Sequence, residues 1–364
     1  MTVNRLMSSE YMEWAKCHSS ARYNLAGSGL SDYPPESFPS RFEEIKLSSK
    51  GSYGHEELLQ AIAARYGGRT ENVFSTLGTS MANHLVMARI LDRDDEVVIE
   101  RPTYELLLST SRYFGVTIKR FERRLEHGFK IDVDELKRVV SDKTRLIVIT
   151  NLHNPSSAYA DQRTMREIGI IAQQVGACVL VDEVYLDSAL GASAQSAFHL
   201  GSEFVITNSL TKVYGLSGLR CGWILAEPAL VKKLWRLNDL FYVNAPFPTE
   251  QMSVLAFAHF DEIAGRAHRL LKTNHDLLDR FLDSRNDLDV FRPEFGTTVF
   301  PKLVRGNVER LCKLLRAKYD TSVVPGSYFE MPEHFRIGFG CETKMLSSGL
   351  EQLSLALDEI ASEV

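Results

Sequence analysis

RLIVITNLHNPSSAYADQRTMREIGIIAQQVGACVLVDE, residues 145–183, contains a strand, a helix and a second strand in succession. RLIVIT (145–150) and CVLVDE (178–183) are short and apolar without alternation, the pattern of strands buried on both faces. MREIGIIAQQVG (165–176), between them, has helical patterning. A strand–helix–strand unit of this kind lays its two strands parallel.

The same rhythm extends outward. EVVIE (96–100), VTIKRF (116–121), EFVIT (203–207) and CGWIL (221–225) are further strands, and HEELLQAIAARYGG (55–68) and YELLLSTSRYFG (104–115) are helices, the first stopped by glycine. The expected class is α/β: a three-layer α/β/α large domain with a mostly parallel sheet. After about residue 250 the pattern changes. A long helical stretch, TEQMSVLAFAHFDEIAGRAHRLLKTNHDLLDRFLDS (249–284), leads into a shorter α+β section. Residues 41–275 read as the large domain. Residues 1–40, a mostly irregular arm rich in Ser, Gly and Pro, join 276–364 in a smaller α+β domain.

The bulk numbers narrow the function. The chain has 364 residues, 44% of them hydrophobic and 24% charged, enough for a large core. A net charge of −5 gives no electrostatic case for a nucleic-acid or membrane partner. No apolar run approaches the roughly 20 residues of a membrane helix, and the start, MTVNRLMSSEYMEWAK, lacks a secretory core. The five cysteines are scattered with no CxxC pair, so no metal site is expected and a reducing cytoplasm fits best.

NSLTKVYGLSGLRCGW (208–223) carries the most chemistry. Lys212 falls in a loop after one strand and Arg220 just before the next. Lysine is the residue that forms Schiff bases with carbonyl cofactors, pyridoxal 5′-phosphate (PLP) above all. Ser209, Thr211 and Arg220 suit an anion nearby. Upstream, VDEVYLD (181–187) puts Asp182 at the end of an apolar strand, where a carboxylate is costly unless it meets a cation. A protonated pyridine nitrogen supplies one, and Tyr185 and Asn154 could reach that ring's oxygen. STLGTSMANHLV (75–86) places Gly78, Thr79 and Ser80 where a strand gives way to a helix N-terminus, an anion site. Tyr104, just past another strand, could stack on the ring. Each residue alone has an ordinary structural explanation: a surface Lys, a strand-end Asp, an Asn-Pro turn, a Ser N-cap.

Taken in order, the set resembles the fold-type I PLP enzymes, specifically the class I/II aminotransferases related to aspartate aminotransferase, from about residue 24 to 340. The resemblance implies that Lys212 carries the Schiff base and shuttles protons, and that Asp182 pairs with the pyridinium. Tyr185 and Asn154 would hold the ring oxygen, and Tyr104 would stack. Gly78, Thr79, Ser80, Ser209 and Arg220 would bind the phosphate. Arg336 in HFRIGFG matches the arginine that grips the substrate α-carboxylate, and Asn24–Gly27 matches the segment that closes over the substrate. It further implies a homodimer acting on an amino acid and a 2-oxo acid.

Two features depart from the family pattern. Asn-Pro-Thr-Gly reads Asn-Pro-Ser-Ser here, with Ser157 in place of glycine. The tyrosine that reaches the partner's phosphate would fall at Ser49, leaving Tyr53 as the nearest candidate. No second arginine for a dicarboxylate side chain is matched. The rival readings are another PLP-dependent reaction (lyase, decarboxylase, cyclase or oxidase), a non-catalytic sensing module, and a Rossmann dehydrogenase. No GxGxxG follows a strand, which counts against the last.

Overall fold

The computed structural model describes residues 6–38, 42–49, 51–189 and 194–363. Seven strands form one sheet: β1 (Val73–Leu77), β2 (Glu96–Arg101), β3 (Thr117–Glu122), β4 (Thr144–Thr150), β5 (Cys178–Asp182), β6 (Phe204–Ser209) and β7 (Cys221–Leu225). Their order is β1-β7-β6-β5-β4-β2-β3. Every pairing is parallel except those of β7, which runs antiparallel to both neighbours. β1 to β6 therefore all end at one edge of the sheet, and β7 begins there.

The unbroken hydrophobicity of β4 and β5 follows from burial on both faces. Ile147, Ile149, Val179 and Val181 feed one core, while Leu146, Val148 and Leu180 feed another across the sheet. The two-residue side-chain period divides each strand between these cores. The helix Gln162–Val175 packs Met165, Ile168 and Ala172 into the first. The Asp161 side chain caps it by accepting from Thr164 N–H at 2.8 Å, and Gly176 ends it in the left-handed conformation. The helix Thr79–Ile90 packs Ala82, Leu85 and Val86 into the second core. The three-layer α/β/α arrangement is thus present.

The C-terminal section has the expected mixed character. Thr298–Val299, Val324–Pro325 and Phe335–Gly338 make a small antiparallel sheet, flanked by the helices Val308–Lys318 and Thr343–Ser362. The dividing line drawn at 40/41 lies outside the described residues. The line at 275/276 falls inside the unbroken helix Phe260–Asp283. That helix buries one continuous stripe, from Ile263 to Leu282, in a core shared with Leu311 and Leu353, so the chain has no break to show there. The stretch 249–284 is itself two helices, Phe247–Ala258 and Phe260–Asp283, meeting at His259.

The N-terminal arm is less irregular than expected. Ser9 caps a short helix, Glu10–Glu13, by accepting from Met12 N–H at 3.1 Å, and the helix continues as a π-helical stretch over Trp14–His18. Such a short element has too few turns for a periodic signal. Further on, Tyr23–Asn24 pairs in parallel with Thr321–Ser322. Leu25 then donates to Ser322 O at 2.8 Å and accepts from Gly338 N–H at 2.7 Å. A Cβ at position 338 would stand 1.7 Å from the Gly27 carbonyl oxygen, so only glycine lets the arm pass. Gly338→Ala should therefore lower the stability of the folded chain by about 2 kcal/mol, as overpacking does. An unchanged urea midpoint would contradict this packing.

Candidate active site

The single edge where β1 to β6 end gathers the motif residues. Leu77 leads to Gly78 and the N-terminus of the helix Thr79–Ile90. Arg101 leads to Tyr104, Thr150 to Asn154, and Ser209 to Lys212, while Arg220 immediately precedes β7. In parallel sheets ligands sit beyond the carboxyl ends of the strands. A cavity of about 190 Å³ opens there, lined by Thr79, Ser80, Tyr104, Asn154, Asp182, Tyr185, Ser209, Lys212 and Arg220. A wider groove of about 810 Å³ runs between Trp14 and the helix Val308–Lys318, but two of its charged lining residues, Glu309 and Lys313, pair with each other at the surface.

Asp182 forms the cavity floor. It is buried, accepts from Asn83 Nδ2 at 2.9 Å and from Val184 N–H at 3.1 Å, and forms no ion pair among the described residues. Burial raises its carboxyl from 3.8 to about 6. Asn83 is held in turn by Thr207 Oγ1, which donates to its Oδ1 at 2.7 Å. Asn83 was not singled out in the sequence, although it is a polar residue on the buried side of an otherwise apolar helix.

The opposite end of the cavity suits an anion. Gly78, with φ +80°, caps the helix Thr79–Ile90 in place of Ser80, leaving the first N–H groups of the helix free of any side-chain cap. A Cβ on Gly78 would stand 2.5 Å from Arg220 Nη2, so glycine lets the guanidinium close in. The hydroxyls of Thr79 and Thr211 are buried there with no hydrogen-bond partner among the described residues. Buried orphan donors are rare and call for an explanation.

Lys212 stands between these two ends. Burial holds its amine below the usual lysine range. Its Nζ lies 3.1 Å from Ser28 Oγ, and Tyr185 donates to the same oxygen at 2.8 Å. Burial raises the Tyr185 hydroxyl well above its ordinary value. Tyr104 ends its loop as the N-cap of the helix Glu105–Phe114, 5.8 Å edge-to-face from Tyr11.

Arg336 is fully buried. Its guanidinium donates to Asn154 Oδ1 at 3.0 Å, Ala26 O at 3.0 Å and Tyr11 Oη at 3.1 Å. No carboxylate pairs with it among the described residues, and its Nε–H has no partner. The two acids near it in sequence are engaged elsewhere: Glu330 with Arg120 and Glu333 with Lys302. Asn154 is positioned from below. Its N–H donates to Thr150 Oγ1 at 2.9 Å, and Thr150 donates through both N–H and Oγ1 to Glu100, whose other oxygen pairs with Arg123 at 2.6 Å.

Tyr53, expected to reach the phosphate of the other subunit, does not line the cavity of its own chain. It is 45% exposed, packs on the Trp235 ring and donates to Asp239 at 3.1 Å. Gly27 is not among the residues that line the cavity; its carbonyl oxygen lies against Gly338, next to Ala26, whose carbonyl accepts from Arg336. Ser157 adopts φ +60°, the conformation for which a glycine would be free, and donates to Thr298 O at 2.8 Å, which offsets the strain of about 1–2 kcal/mol. The sequence also gave no sign of Tyr11 or Ser28, both from the arm.

Residues 46–353 match the family model described as aminotransferase class I and II. The chain belongs to this family. It is 31% identical over 318 residues to capreomycidine synthase of Streptomyces vinaceus, covering 86% of this chain and 81% of that one. A solved PLP-dependent aminotransferase from Streptococcus suis 89-1591 superposes with a TM-score of 0.91 at 29% identity, covering 99% of each chain. The solved PLP-dependent cyclase OrfR gives 0.84 at 26% identity, covering 92% of each.

The cofactor is PLP, and the cavity fits it. A lone buried carboxylate meets a ring nitrogen, an amine meets an aldehyde, and orphan hydroxyls with a helix N-terminus meet a phosphate. Asp182 supplies a pH test. Its folded value lies above the ordinary 3.8, so the folded apoprotein binds the extra proton, and this group removes stability as pH rises from 3.8 to about 6. Asp182→Asn should fold, lack that component of the pH–stability curve, and lose turnover by at least about tenfold, the equivalent of one pKa unit. Near-normal turnover would make Asp182 a structural strand-end residue.

Proposed function

We propose that this protein is a PLP-dependent aminotransferase that moves an amino group between an L-amino acid and a 2-oxo acid, with Lys212 holding the cofactor. The observation that carries the reading is Arg336: a buried guanidinium without an acid of its own, joined through Asn154 to the cavity above Asp182. A buried cation left unpaired is costly, and a ligand carboxylate offsets that cost with two parallel hydrogen bonds. An α-amino acid brings such a carboxylate and sets its amine toward Lys212.

PLP, bound through its aldehyde, supplies an electron sink for negative charge at the substrate Cα. The chain supplies the rest. Asp182, fixed by Asn83, would hold a proton on the ring nitrogen. Tyr185 and Asn154 would hold the ring oxygen, and Tyr104 would cover the ring. Thr79, Ser80, Ser209, Thr211 and Arg220 would anchor the phosphate. Lys212, whose amine burial holds below the usual lysine range, would take the Cα proton and return it. Tyr11 closes the carboxylate site from above.

A second reading keeps these roles and changes the outcome at Cα to cyclisation. It is favoured by the likeness to capreomycidine synthase and to the cyclase OrfR. The two part on products: transamination yields a 2-oxo acid and needs an amino acceptor, whereas cyclisation needs none. We further propose a homodimer in the cytoplasm, with Tyr53 facing the phosphate end of the other subunit.

Arg336→Lys is the direct test. Lysine keeps the charge but not the fork. The variant should fold, bind PLP and lose about tenfold or more in kcat/KM toward amino acids, while an amine lacking the carboxylate reacts almost as before. A lower melting temperature with normal handling of amino acids would make Arg336 structural.

A further inference from the structure

Residues 25–30 cross from the C-terminal section to the Lys212 loop. Leu25 is tied to Ser322 and Gly338, and Thr297 Oγ1 donates to the Ser28 carbonyl at 2.7 Å. Leu30 N–H donates to the Lys212 carbonyl at 2.7 Å. The Ser28 side chain turns back onto the same lysine, 3.1 Å from Nζ. One short segment thus holds Lys212 by its backbone and by its amine. The Ser28 hydroxyl is buried, and Tyr185 fills its other acceptor position at 2.8 Å.

We propose that Ser28 is a positioning residue for the reaction: its hydroxyl accepts from the free amine of Lys212 and fixes where the nitrogen lone pair points. A lysine amine rotates freely about its last bond. An N–H held by Ser28 removes that freedom, and the oriented lone pair is the one that meets the substrate Cα proton. Tyr185 locks Ser28 in turn, and Thr297 fixes its backbone. The hydrogen bond also favours the protonated amine, because a charged donor binds an oxygen more strongly than a neutral one. Asp182, Tyr185 and Tyr11 face the same amine as acids, and Arg220 and Arg336 face it as cations.

The inference rests on Lys212 being the amine that carries PLP. Its test uses Ser28→Ala and Ser28→Thr, with a readout on the apoprotein. Reductive methylation of Lys212 by formaldehyde and cyanoborohydride, followed by peptide mass across pH, reports the free amine. In Ser28→Ala the reactivity curve should move toward acid by about one pH unit, the tenfold change in equilibrium that one pKa unit represents. With PLP bound, the single-turnover rate with an amino acid should fall on the order of 10- to 100-fold at nearly constant KM. Ser28→Thr, which keeps the hydroxyl, should restore both. If Lys212 is labelled by borohydride in the wild type but neither the curve nor the rate moves in Ser28→Ala, the role of Ser28 is overturned. The same holds if only the melting temperature moves. If borohydride does not label Lys212 in the wild type, the underlying assignment fails instead.

Discussion

Asp182 ends a central strand of the sheet, out of water, with two hydrogen bonds and no ion pair among the described residues. A carboxylate in that position costs several kcal/mol unless something positive meets it. The chain does not relieve the cost by replacing the residue or neutralising it. It fixes the carboxylate with Asn83, fixes Asn83 with Thr207, and opens a cavity above. Arg336 poses the complementary problem, a buried cation with no acid paired to it among the described residues. The two charges suit a cofactor with a cationic ring and, in the proposed reading, a substrate with a carboxylate. The fold serves to hold these charges apart.

Glu100 and Arg123 show what the chain does when a buried charge is structural. Both are fully buried, and they pair at 2.6 Å, with Thr150 donating to Glu100 and Arg123 Nε donating to the Phe129 carbonyl. That pair supports the Asn154 turn without facing the cavity. His153 works alongside it, one ring nitrogen 2.6 Å from Ser156 Oγ and the other 2.9 Å from the Pro102 carbonyl. Burial pushes this imidazole well below the usual histidine range, which favours its neutral form. Paired charges beneath the edge and unpaired charges above it separate the scaffold from the site.

The sheet was legible because its inner strands are buried on both faces, so their apolar runs are unbroken, and because Asp161 and Gly176 mark the ends of the helix between β4 and β5. The residues at the strand ends were legible as an ordered set, since one edge collects loops from distant parts of the sequence. What sequence could not show lies in the arm and in supporting contacts. Tyr11 belongs to a helix too short to leave a period, and Ser28 to a Gly-rich stretch with no pattern at all. Asn83 hides on a helix face as an isolated polar residue. The boundary drawn at 275 falls within the helix Phe260–Asp283, whose one amphipathic stripe serves both parts of the chain. Tyr53 faces away from its own cavity, a placement that only a three-dimensional path for the chain can reveal.

All of these assignments converge on one atom, the amine of Lys212. Adding PLP to the protein, reducing with borohydride and sequencing the modified peptide tests it most directly. The account predicts a single pyridoxyl mark, on Lys212, that is absent from Lys212→Ala although that variant still folds and keeps its phosphate contacts. A mark on another lysine, or none, would contradict it.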